Sequence, residues 1–108
     1  MDPRDKKLLE LAGWITLDPD HDPLWWKEDY PWFWEEKFPA ISETQWMAEQ
    51  VSDAVIDTWY LTSEARGQLY FGTWYDDDDE HSVYAPKGST RAEAITAMLY
   101  KWLEEQDK

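Results

Sequence analysis

Hydrophobic periodicity is clearest near the end of the chain. Ile95, Met98, Leu99, Trp102 and Leu103 recur at i, i+3, i+4, i+7 and i+8, which lines one side of an α-helix. Thr90 and Glu93 supply an S/T-x-x-E capping box, so a helix is predicted from Gly88 to about Glu105. Residues 2–12 predict a short helix, capped by Asp2, opened by Pro3 and stopped at Gly13, with Leu8, Leu11 and Ala12 on its buried face. Trp14 to Leu17 reads as an extended edge strand. Ser42 to about Thr58 predicts a second long helix. There Ser42 and Gln45 form a capping box, Ile41 staples onto Trp46, and Met47, Val51, Ala54, Val55 and Thr58 make the buried arc.

Between the second and last helices the period changes to two. Trp59–Ser63, Gln68–Tyr75 and His81–Ala85 read as strands, turning at Gly67 and at the run Asp76-Asp77-Asp78-Asp79-Glu80. Short turns between consecutive strands imply an antiparallel meander. The middle strand carries Leu69, Phe71 and Tyr75 on one side and Tyr70 and Trp74 on the other, so cover is expected on both faces. The expected fold is therefore α+β, a single domain over residues 1–108. It is a three-layer-like sandwich in which a meander of about three strands is covered by two long helices, a short N-terminal helix and an aromatic-rich loop.

That loop, residues 18–40, follows neither period. Pro19, Pro23, Pro31 and Pro39 exclude a long helix. Trp25, Trp26, Tyr30, Trp32, Phe33, Trp34 and Phe38 argue against disorder. Two roles fit these rings. They pack down as a lid over a thin core, the commoner outcome because exposed aromatic patches are rare on monomers. Or some stay exposed as anchors for a partner.

Charge then narrows the function. Asp and Glu number 24 against 10 Lys and Arg, a formal net of −14. Direct binding to nucleic acid or to an anionic membrane is disfavoured, and a basic partner surface is favoured. The absence of Cys excludes disulfides. No run approaches the ~20 apolar residues of a membrane span, and no secretory signal is visible, so a soluble, cytoplasmic protein is expected.

Gly13-Trp14, a Trp at 25 or 26, Pro39-x-Ile41-Ser42 opening a helix, an aromatic antiparallel sheet, and Gly88-Ser89 leading into Ala92-x-Ala94-Ile95-x-Ala97-Met98-Leu99 occur in that order. The series resembles the phage ABA sandwich domain family. The family pattern has a shorter segment between the first Trp and the Pro. The Trp-rich insert and the Asp76–Glu80 run are particular to this chain. The resemblance implies a small α/β sandwich encoded by phages or prophages, and carries over no catalytic residues.

Enzyme chemistry finds little support. There is no Cys, no G-x-S-x-G and no Gly-rich phosphate loop, and His21 and His81 each lie in acidic runs, where a solvated loop role is expected. Asp18-x-Asp20-x-Asp22, with Asp29 in the twelfth place, has the spacing of a calcium loop. Pro23 occupies the position that needs Gly, however, and the bidentate Glu is missing. Solvated acidic turns are expected there and at 76–80, with no metal or cofactor.

Binding remains. Glu49, Asp53 and Asp57 fall at i, i+4 and i+8 on the second helix, whose like charges destabilise it by ~0.2–0.5 kcal/mol per pair. The ~6 Å spacing of that row approximates the spacing of successive phosphates along a nucleic-acid strand. With Asp76, Asp77, Asp78, Asp79 and Glu80, and with Trp46 or Trp32 as an aromatic anchor, the row predicts charge mimicry. The partner would be a basic, nucleic-acid-binding host protein such as a defence nuclease. A solvated helix face is the plainer account of the same charges. Two other classes stay open: a small-ligand binder using the Trp25–Trp34 insert as a cleft, and a structural or morphogenesis component of the virion.

Overall fold

Asp2 accepts the Arg4 N–H at 2.8 Å and Pro3 takes the first helical position, so helix α1 runs Pro3–Leu11. The structure is a computed structural model that describes residues 1–64, 66 and 69–106. α1 ends in a Schellman arrangement. Gly13, at φ +97°, donates its N–H to Glu10 O at 3.1 Å, and Trp14 N–H reaches Leu9 O at 3.0 Å. The Lys27 ammonium donates to Ala12 O at 2.8 Å, placing a cation on the negative end of the helix. The buried arc is Asp5, Leu8, Leu9 and Ala12, while Leu11, expected inside, is exposed. The arc includes Asp5, whose carboxylate accepts from the Ile41 N–H and the Tyr100 hydroxyl.

The aromatic insert is more ordered than a loop. Strands β1 (Ile15–Leu17), β2 (Leu24–Trp26) and β3 (Phe33–Trp34) form an antiparallel sheet in that order. Pro19, Pro23 and Pro31 fall in the connections between these strands, where a missing N–H removes no ladder hydrogen bond. Asp18 and Asp29 take positive φ (52° and 71°) in the same connections, a conformation short polar side chains tolerate. The rings divide between inside and outside. Trp25 is buried and Phe38 nearly so, while Trp26, Trp32 and Trp34 are exposed.

Helix α2 spans Gln45–Val55, shorter at both ends than expected. Ser42 belongs to a separate 3-10 turn, Ile41–Glu43, and Thr44 is the N-cap, with no side-chain capping bond. The Ser42–Gln45 capping box does not form, because α2 starts only after Ser42. The Ile41 staple is replaced as well: Ile41 is fully buried in the core, and Trp46 stacks on Tyr30 at 6.0 Å. Met47, Ala48, Val51 and Ser52 make the buried arc, and Ala54 and Thr58 are exposed.

Strands β4 (Trp59–Glu64), β5 (Leu69–Asp76) and β6 (Asp79–Tyr84) form the expected antiparallel meander. The turn expected at Gly67 lies outside the described residues. The acidic run is a tight hairpin: Asp76 pairs with Asp79, leaving Asp77 (φ 56°) and Asp78 at the tip. Helix α3, Arg91–Gln106, is capped as predicted: Thr90 N–H donates to Glu93 Oε1 at 2.8 Å, and Glu93 N–H to Thr90 Oγ1 at 3.1 Å.

α3 packs against β5, β6, α2 and α1. It approaches so closely at Gly72 that a Cβ there would stand 2.8 Å from Met98 Cβ. One buried cluster draws on both sheets, joining Trp25 and Trp14 to Trp74, Ile95, Met98 and Leu99. Each indole removes ~150–250 Å² of ring from water, which is how so acidic a chain fills a core. The meander's other face carries Tyr60 and Tyr84 exposed, so cover is complete on the α3 side only. Among the described residues no helix is long and apolar enough to cross a membrane.

Candidate functional site

The Glu49–Asp53–Asp57 row is not built. α2 stops at Val55, and Ile56 is extended (φ −124°, ψ 124°), so Asp57 leaves the helix. Glu49 accepts from Arg91 Nε at 3.4 Å and from Gln45 Nε2 at 3.3 Å, so a cation stands beside it at the surface. Asp53 accepts from Trp59 Nε1 at 2.9 Å. The sequence contains no signal that Arg91 would come back across α2.

What replaces the row is an acidic pole. Asp57 meets Asp76 and Asp77 around one concavity, bordered by Val55 and Ile56 from the end of α2 and by Trp102 and Gln106 from the end of α3. Tyr75 N–H donates to Thr58 O at 3.1 Å, stitching the segment after α2 to the base of the hairpin. Neither α2 nor α3 has a basic residue in its last turn, so the negative carbonyl ends of both helices add to the carboxylates. Asp78, Asp79 and Glu80 continue the exposed acidic surface along the hairpin.

The histidines fall differently. His21 is exposed and pairs with Asp18 Oδ1 at 3.0 Å. His81 is not a loop residue: it lies on β6 and stacks on buried Trp74 at 5.0 Å. Among the described residues no three acidic or histidine side chains converge in a metal-holding arrangement.

The two expected anchors, Trp46 and Trp32, are both exposed. Trp46 is braced by Tyr30, and Trp32 meets Trp34 edge-on at 6.0 Å. Sequence reasoning missed that Trp32 belongs to a larger face. Ile15 pairs with Trp26, and Leu17 with Leu24, which pairs with Trp34, so these side chains share the outer side of the first sheet. The alternation Ile15-Thr16-Leu17 and Trp32-Phe33-Trp34 carried that signal.

Compared with known proteins, the chain matches no family model, no curated protein and no solved structure.

Proposed function

We propose that this protein is a small acidic, phage-type inhibitor that acts in the host cytoplasm. It occupies the basic groove of a nucleic-acid-binding host protein, with carboxylates standing in for backbone phosphates. One observation carries the reading: Asp57 and the Asp76–Asp77 pair, separated in sequence, line a single concavity at the ends of two helices whose last turns hold no basic residue. The net charge of −14 and the resemblance to phage ABA sandwich domains point the same way.

Lys and Arg of the partner meet the pole as they would meet a strand of phosphates. Attraction of this kind accelerates encounter and weakens as salt shortens the Debye length from ~10 Å at 0.1 M toward ~3 Å at 1 M. Purified DNA-binding nucleases carrying a fluorescent duplex provide the test. The protein displaces the duplex at low salt and loses that ability as salt rises. The triple change Asp57→Lys, Asp76→Lys and Asp77→Lys abolishes displacement. Equal displacement by the reversed variant would remove the pole from the mechanism.

A further inference from the structure

The outer side of the first sheet is apolar and open to solvent. Ile15, Leu17, Trp26, Trp32 and Trp34 are 46, 46, 41, 56 and 42% exposed, while Trp25 on the opposite side is fully buried. Registered pairing puts Ile15, Leu17, Trp26 and Trp34 on one side, Trp32 joins them through its edge contact with Trp34, and an exposed apolar patch of this kind marks an interaction surface.

The charge around the patch selects its occupant. Between Asp18 and Lys37 stand seven carboxylates and two lysines. Lys27 is turned inward onto Ala12 O, so its ammonium does not face a partner across this sheet. Beside Trp34 lies a cavity of about 520 Å³ walled by Asp22, Glu35 and Glu36, with Lys37 and Met1 also lining it. Glu35 is held in place, accepting from Trp25 Nε1 at 3.1 Å. A second copy of the chain would oppose this acidic rim with its own.

We propose that this face binds an arginine-rich segment of a basic protein. Guanidinium planes lie on the exposed indoles, and their N–H forks pair with the carboxylates of the rim and cavity. Arginine suits the site better than lysine because its flat, weakly hydrated head stacks on a ring. The inference deepens the proposed function by naming what the basic partner presents here, and it rests on that reading for the partner's class.

The probe is a synthetic peptide of alternating Arg and Ser, compared with the same peptide carrying Lys or Gln in place of Arg. Calorimetry and tryptophan fluorescence follow its binding to the full chain. Affinity is expected in the order Arg, Lys, Gln, with the Gln peptide silent. Trp32→Ser with Trp34→Ser weakens the Arg peptide about five- to thirtyfold. Asp22→Asn with Glu36→Gln, which keeps every indole, weakens it too and guards against a folding defect. Lysine substitutions at Asp57, Asp76 and Asp77 leave peptide binding by the tryptophan face in place, so this test and the duplex-displacement test fail separately. The proposal is overturned if the peptide does not bind, or if both face variants bind it as the parent does. A dimer in sedimentation that the Trp32→Ser, Trp34→Ser variant converts to monomer also overturns it, by giving the face to a second copy.

Discussion

The Tyr100 hydroxyl donates to Asp5 Oδ1, joining the last helix to the first across 95 positions of sequence. Asp5 is 4% exposed, and its other oxygen accepts the Ile41 N–H at 3.4 Å. The Arg4 guanidinium lies 3.9 Å above the Tyr100 ring. One carboxylate thus ties two helices and a 3-10 turn together. Tyr100→Phe leaves that buried oxygen without its donor and is expected to lower stability by ~1–3 kcal/mol, read as a fall in the urea midpoint at unchanged slope. Asp5→Leu combined with Tyr100→Phe is expected to cost less than the sum of the single changes, because neither polar group is then stranded.

The same contact bears on stability at alkaline pH. Burial, then the bond to Asp5, holds the Tyr100 phenol well above the ordinary tyrosine range. The Tyr60 hydroxyl, 3.2 Å away, pushes Tyr75 up to about 12. Both groups keep their protons in the folded state to a higher pH than in the unfolded chain, where phenols titrate near ~10. Their contribution is complete below that value and is lost as pH rises through the folded pKa values. Thermal midpoints are expected to hold level up to about pH 10 and then fall, with a shallower fall in Tyr100→Phe.

Two capping boxes are written in the sequence and one is built. Thr90→Ala removes the acceptor for the Glu93 N–H and is expected to cost ~0.5–2 kcal/mol. Ser42→Ala, at the box that does not form, is expected to change stability by less than ~0.5 kcal/mol. Chemical denaturation of the two variants side by side checks the contrast.

Two buried positions offer changes of opposite sign. Gly72→Ala drives a methyl into Met98 and is expected to destabilise by ~1–3 kcal/mol. Ser52 Oγ on α2 is buried with no hydrogen-bond partner among the described residues. Ser52→Ala removes that stranded hydroxyl and is expected to stabilise by about 1 kcal/mol.

At the hairpin, Asp76 faces Asp79 directly across the ladder. Like charges in that position destabilise, so Asp79→Lys is expected to add ~0.2–1 kcal/mol, less at high salt. On the proposed function the same change weakens duplex displacement. A gain of both stability and displacement would separate the hairpin from binding.

The residues themselves determined the elements whose signals are local. The Thr90–Glu93 box and the stripe from Ile95 to Leu103 lie within a few turns of one helix, and α3 formed as they specify. Asp2, Pro3 and Gly13 delimited α1 for the same reason, and the strand pattern from Trp59 to Tyr84 defined the meander. Tertiary structure decided whatever depends on partners far along the chain. Arg91 reaches Glu49 from 42 residues away, and Trp14 Nε1 finds Gln50 from 36. The segment after Val55 turns toward β5, which dissolves the acidic row and brings Asp57 to Asp76 and Asp77. Which tryptophans lie inside was settled by strand pairing: a period of two sends Trp25 and Trp26 to opposite sides of the sheet, and only packing decides which side meets the core.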